Sequence, residues 1–189
     1  MDGEYGDMNV MSKKLFKEIL DWIKDIVVAL GVTLFITTFI FQNTQVIGDS
    51  MNPTLQNGNA IIVNKFIYRF QQPKRGDIIA FKYSQNPSQF FIKRIIAIEG
   101  DKIDIRDGKV YLNDQMIEEK YILEPMDTIK IGNIDFPIVI PKDSYFVMGD
   151  NRNISFDSRY KDVGLVPLSH ISGKAVLRIW PLNLIGFIE

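Results

Sequence analysis

Sixteen consecutive residues without a charge, Ile26 to Phe41 (IVVALGVTLFITTFIF), constrain this chain more than any other feature. At about 1.5 Å of rise per residue, a helix of that length falls slightly short of a hydrocarbon layer about 30 Å thick. Trp22 and Ile23 extend the apolar surface on one face, and the Lys24 stem can reach back to the interface. Just upstream, Leu15, Phe16, Ile19, Leu20 and Ile23 have helical spacing. A buried core helix would carry one apolar stripe. This run is apolar all round and β-branched at Ile26, Val27, Val28, Val32, Thr33, Ile36, Thr37, Thr38 and Ile40. A cleavable targeting peptide needs a small-x-small site just past the apolar run, and residues 39–43 offer none. The expectation is an uncleaved transmembrane helix over residues 22–41. Residues 1–21 precede it, and their first dozen, polar and Gly-containing, read as disordered. Lys13, Lys14, Lys17 and Lys24 all precede the run, and no basic residue follows until Lys65. The positive-inside rule then places the N-terminus in the cytoplasm and residues 42–189 across the membrane.

Composition closes off several chemistries. The 189 residues contain no Cys and one His, and the formal net charge is −1. Disulfides, thiolate zinc sites and cysteine nucleophiles are excluded, as are His-cluster metal sites. Near-neutral charge leaves no basic footprint for nucleic acid. Setting aside the four Lys and six acidic residues of 1–41 leaves 18 basic against 17 acidic residues beyond, an ordinary globular balance.

Residues 42–189 read as an antiparallel β domain. Short apolar runs alternate with turn signals: Ala60–Val63 after Asn57-Gly58, Ile78–Phe81 after Arg75-Gly76-Asp77, and Phe90–Ile98 before Glu99-Gly100-Asp101. Ile103–Arg106 and Lys109–Leu112 around Asp107-Gly108 make the strongest hairpin signal. Ser144–Met148 and Gly173–Trp180 follow, and no segment of helical period appears after residue 42.

Three stretches could carry chemistry. Ser50 lies in Gly48-Asp49-Ser50-Met51-Asn52-Pro53, where Gly48 allows close backbone approach and Pro53 fixes the following turn. Alone, such a Ser is ordinary turn chemistry. Lys93 sits within a strand whose two faces, Phe91-Lys93-Ile95 and Ile92-Arg94-Ile96, are both apolar apart from the basic residues. An ammonium so placed has its charged form destabilised, and a neutral amine can take a proton from a Ser hydroxyl. The bland reading has Lys93 at a strand edge paired with an acid. Arg94 cannot be the base, because guanidinium stays protonated. Gly149–Tyr160 is either a surface loop tied by Asp–Arg pairs or a network that orients a catalytic group. Two rival sites are weaker. Ser158-x-x-Lys161 matches a short pattern expected by chance, without the helix that pattern needs. A Ser50–His170–Asp triad is formally possible, but His170 lies in a turn-like lead into a strand.

Together these stretches resemble type I signal peptidases, membrane-anchored serine endopeptidases with a Ser–Lys dyad. The similarity runs from about Trp22 to Pro181, with the boxes in the family's order: G-D-S-M-x-P-T-L at 48–55, G-D-I-x-x-F at 76–81, K-R-I-I-x-x-x-G-D at 93–101 and G-D-N-R-N-x-S-x-D-S-R at 149–159. The resemblance implies Ser50 as nucleophile and unprotonated Lys93 as general base. It implies that Ser155 orients the Lys93 amine, and that Asp157 and Arg159 pair and, with Asp150, hold the catalytic core together. The Ser50 backbone N–H would serve the oxyanion. Gly48 stands where some members add a Ser hydroxyl to that hole, as in the Gram-positive type. Ile154 stands where the family often has Asn, a departure the sequence does not explain. The family further implies a distorted β-barrel-like domain in which substrate lies as an added strand. Gln45, Val46, Ile47 and Asp49 on one side, and Phe91 and Ile92 on the other, match the positions flanking that groove. Shallow apolar S1 and S3 pockets would select small residues, typically Ala-x-Ala before the cut, by steric exclusion. The implied setting is the plasma membrane of a bacterial cell. Exported preproteins, the secretion translocon and membrane lipid are the implied partners, with no metal, cofactor, ATP or nucleic acid. A non-catalytic, membrane-anchored β module that captures extended peptides is the competing expectation.

Overall fold

The computed structural model describes residues 3–128 and 132–188, with side chains from residue 14 onward. The chain separates into two compact units, Met1–Ile40 and Phe41–Glu189.

The first unit is helix α1 (Gly3–Phe35), continued by a π-helical turn at Ile36–Ile40. Within it, Lys14–Ile40 is long and apolar enough to cross a membrane. Leu30, Val32, Leu34 and Phe39 are all more than half exposed. The expectation of disorder over the first dozen residues is corrected from Gly3 onward: α1 runs through them. Once the Leu- and Phe-rich turns are helical, each further residue adds a hydrogen bond without a new nucleus. The helical spacing ends at Ile40, and Phe41 opens a strand.

The second unit is built from twelve strands: β1 (Phe41–Gln45), β2 (Ala60–Asn64), β3 (Ile78–Tyr83), β4 (Asn86–Ala97), β5 (Lys102–Arg106), β6 (Lys109–Leu112), β7 (Gln115–Met116), β8 (Ile138–Val139), β9 (Ser144–Met148), β10 (Val166–Pro167), β11 (Ile171–Trp180) and β12 (Gly186–Phe187). An eight-stranded sheet has the order β1-β2-β11-β3-β4-β9-β10, with β12 on β11, and a four-stranded sheet has the order β7-β6-β5-β8. Every described pairing is antiparallel. The mainly antiparallel β architecture behind one apolar N-terminal helix is therefore as the sequence predicts. The Asp107-Gly108 turn joins β5 to β6 in the expected hairpin, with positive φ at both residues, 50° and 71°.

Alternating burial sets two cores on the two faces of β4. Ile92 packs toward Val46, Met51, Leu55, Val63 and Ala80. Phe91 and Ile95 pack toward Ile79, Phe81, Tyr145 and Val147 on the opposite face. A third core, around Ile103, Val110, Ile140 and Phe146, joins the small sheet to the far ends of β4 and β9.

One detail of the pairing positions the site. Strand β4 meets β3 along most of its length, but it meets β9 only from Arg94 onward. The 86–92 stretch therefore has an open edge on the β9 side. Strand β1 likewise pairs only with β2. Between these two edges lies a cleft.

Candidate active site

The Ser50 loop is held from both sides. Met51 and Leu55 are fully buried, and the Leu55 N–H donates to the Met51 carbonyl, so residues 51–55 form one closed turn rooted in the core. Gly48 has φ of 87°, a left-handed conformation that a side chain would strain, and its N–H donates to Asn57 Oδ1 at 3.0 Å. The Asn151 N–H donates to the Ser50 carbonyl at 3.0 Å, joining this loop to the 149–160 stretch. Gly149 makes that approach possible: a Cβ there would collide with the Ser50 carbonyl oxygen and the Ser155 hydroxyl.

Lys93 Nζ donates to Ser50 Oγ at 2.6 Å. The Lys93 residue is only 5% exposed, and its Nζ stands 5.5 Å from the centre of the Phe91 ring. Among the described residues no carboxylate lies within ion-pair distance of it. Burial dominates its titration and pulls the amine down to about 8, while Asp157 and Asp150 pull the other way from farther off and Arg159 adds to the fall. The edge-strand alternative, with an acid neutralising Lys93, does not describe this geometry.

Arg94, next in sequence and on the opposite face, is equally buried but fully paired. Its Nε and Nη2 donate to the two Asp150 oxygens at 2.9 and 2.8 Å, and its guanidinium lies 4.1 Å from the centre of the Tyr121 ring. Thr54 Oγ1 adds a bond to Asp150 at 2.5 Å. Asp157 and Arg159 form the second pair, at 2.8 and 2.9 Å, and the Gly149 N–H donates to Asp157 at 3.0 Å. Burial alone would push the Asp157 carboxyl up, but Arg159 and that N–H hold it below the usual carboxylate range. A third pair, Arg152 with Glu119 at 2.6 Å, ties the loop to the segment after β7. Asp150, Asp157 and Arg159 thus sit buried at the core of the 149–160 loop, Asp150 through its pair with Arg94.

Ser155 differs from expectation. Its hydroxyl is buried against Gly149 and helps hold the Asp157 carboxyl low, but it forms no full hydrogen bond to a described residue, so the expected bond to Lys93 is not made. Ser158 Oγ accepts the Val147 N–H in a buried loop, and His170 Nδ1 meets Ser84 Oγ at 3.3 Å. Ser158 is thus engaged by the backbone, and His170 meets Ser84 rather than Ser50.

The cleft beside the dyad has a volume of about 600 Å³ and is lined by Gln45, Val46, Ile47, Asp49, Phe91 and Ile92, the residues named from sequence, along with Ser50 and Lys93. Its lining also includes Ala80, Val63, Phe90, Ile154 and Phe156, which sequence reading did not assign. Ala80 follows from register, since it pairs with Ile92 across β3 and β4. Ile154 and Phe156 stand in a polar loop without periodicity. Their only sequence signal is two large apolar residues flanking a Ser. No group of His, Cys, Asp or Glu able to hold a metal occurs among the described residues.

A family model described as signal peptidase, peptidase S26, matches residues 19–180. A signal peptidase I from Leptolyngbya laminosa is 40% identical over 175 residues, covering 89% of this chain and 83% of that protein. Signal peptidase I P from Bacillus subtilis subsp. natto is 37% identical, covering 92% of this chain and 95% of the relative. A solved signal peptidase I from Enterococcus faecalis V583 aligns at 32% identity and a TM-score of 0.46, over 55% of this chain and 97% of that one. Matched across most of its length by the family model and by relatives of nearly its own size, the chain belongs to the signal peptidase family of peptidases, peptidase S26.

Proposed function

We propose that this protein removes N-terminal signal peptides from exported preproteins, as a serine endopeptidase with Ser50 as nucleophile and Lys93 as general base. The observation that carries the reading is the 2.6 Å contact between Ser50 and a buried amine without a carboxylate partner. With Lys93 neutral, the Ser50 hydroxyl donates its proton to Nζ as Oγ attacks the scissile carbonyl. The Ser50 N–H faces the developing oxyanion. The ammonium formed returns its proton to the leaving amine, and water then repeats the cycle on the acyl-enzyme. While Ser50 is acylated, the Ser155 hydroxyl accepts from Lys93.

Substrate adds as a strand at the open edge of β4, facing residues 45–49. Counting back from the cut, the side chains at −1 and −3 point to the floor lined by Val46, Val63, Ala80 and Ile92, and small groups are selected there by steric exclusion. The Lys14–Ile40 helix is the membrane anchor, single-pass with a cytoplasmic N-terminus, in the plasma membrane. On this reading Ser50, ten residues after Ile40 in the chain, belongs to the part that lies on the side where a preprotein leaves the translocon.

The test uses the full chain in detergent micelles with a preprotein carrying an Ala-x-Ala site, the new N-terminus being read by mass spectrometry. Wild type and His170→Ala are expected to cut after that site. Ser50→Ala and Lys93→Ala are expected to lose about 10³-fold or more in rate. Binding without cutting, or near-normal cutting by Lys93→Ala, overturns the reading.

A further inference from the structure

Two cleft residues have no part in the dyad or in the floor for small side chains. Ile154 is 61% exposed and Phe156 38%, flanking the buried Ser155 in an otherwise polar loop. Phe156 lies edge-on to Phe91 at 6.4 Å between ring centres and to Tyr83 at 6.3 Å, and it tilts against Tyr160 at 5.1 Å. Tyr83 in turn stacks on Phe91 at 4.8 Å. This is a fixed aromatic cluster, and one flank of it opens into the cleft.

The alternation of strands says what meets that flank. Residues directly opposite each other in paired strands point to the same face, and successive residues point to opposite faces. Ile92 packs toward one core and Phe91 toward the other. A substrate strand whose −1 and −3 side chains share the face of Ile92 must turn its −2 side chain to the face of Phe91. There it meets Phe91, Phe156 and Ile154.

We propose that Ile154 and Phe156, backed by Phe91, form an apolar subsite for the substrate residue at −2, so that this peptidase favours a large apolar or aromatic side chain there. The proposal rests on the peptidase reading above and adds a third selected position to it. It also gives a reason for Ile154 where the family often has Asn. Exposed Ile and Phe side chains at this site gain by being covered, while an Asn would lose water without gaining a partner.

The test compares kcat/KM of the full chain in micelles on preproteins that differ only at −2, with Phe, Leu, Ala or Gln there. All four side chains are uncharged, so the charge state of Lys93 does not enter the comparison. Wild type is expected to cut the Phe and Leu substrates about 10-fold better than the Gln substrate, the ~1.4 kcal/mol that partial covering of such a side chain supplies. Ile154→Asn and Phe156→Ala are each expected to shrink that ratio to about 3-fold or less, and the double variant to flatten it. Ile154→Asn changes an exposed side chain and so keeps the test free of folding defects, which thermal unfolding of each variant checks. Cutting by wild type without preference at −2, or a preference unchanged in both variants, overturns the subsite and leaves the peptidase reading standing. A shifted pH profile with an unchanged ratio overturns it too, showing that the pair merely shields Lys93. No cutting of any substrate overturns both.

Discussion

Lys93 and Arg94 are neighbours on one strand, and they are 5% and 3% exposed, yet the two faces of β4 treat their charges in opposite ways. On the Arg94 side, Asp150 accepts from Nε and Nη2, the Gly76 carbonyl accepts from Nη1, and Tyr121 and Thr54 complete its surroundings. On the Lys93 side stand a Ser hydroxyl and an aromatic ring. Burial is therefore not what separates a structural charge from a reactive group in this fold. A carboxylate within hydrogen-bond reach offsets the buried Arg94 charge. Its absence brings Lys93 within range of neutrality.

Removing one member on each face puts that contrast to its hardest test. Lys93→Met should abolish cutting, by about 10³-fold or more, while the folded state persists. Arg94→Met should act through stability instead. It strands the Asp150 carboxylate at the centre of the loop, a loss of about 3–5 kcal/mol. For a unit of this size the unfolding midpoint falls by roughly 10 °C. Thermal unfolding and single-turnover cleavage on the same two variants separate the roles. Equal loss of stability in both would mean that the two faces are not different in kind.

The pH dependence sharpens the same point. The folded amine titrates near 8 and the unfolded one near 10.5. Cleavage, measured as kcat/KM, should thus rise with pH and level off above about 8. Stability follows with a definite sign. Between those two values the unfolded chain holds one proton more than the folded chain, so stability climbs as pH rises from about 8 toward 10.5. Below 8 both states are protonated, and the folded state bears the full burial penalty, about 3 kcal/mol. Lys93→Met removes that penalty. It should be more stable than wild type at pH 7, with the gap closing toward pH 10. Denaturant unfolding across that range checks both the sign and the window.

How much of this could be read from residues alone depended on distance along the chain. β4, the β5–β6 hairpin and β9 were legible because short apolar runs bounded by Gly- and Asp-containing turns are local signals. β1 was not, because Phe41 continues the apolar run of the helix and nothing local marks the change from helical to extended backbone. Lys93 could be singled out as a base among apolar neighbours, but only the family's boxes tied it to Ser50, since 43 residues separate them. The partner of Arg94 lies 56 residues away, so neither pattern nor spacing could find Asp150 for it. Ile154 and Phe156 escaped for another reason. In an irregular loop no period tells which side chains face a cleft.

The smallest predicted effect lies where the two regions meet. Ser155 stands in the ion-paired loop, beside the Asp157 carboxyl that it helps hold low, with its hydroxyl against the Gly149 backbone and no full hydrogen bond to a described residue. A buried hydroxyl without a partner costs stability of about 1–3 kcal/mol, and native structures retain such groups mainly where they act. If Ser155 belonged only to the loop, Ser155→Ala would be a plain gain. If it is held ready for the Lys93 ammonium, the same substitution gains stability and loses rate. The second outcome is expected: an unfolding midpoint higher by about 2–4 °C, and a kcat lower by about 10-fold, the worth of one hydrogen bond to a charged group. Ser155→Thr, which keeps the hydroxyl, should recover part of the rate. A stabilised variant with full activity would leave Lys93 served by Ser50 alone and would draw the line between the two faces at β4 itself.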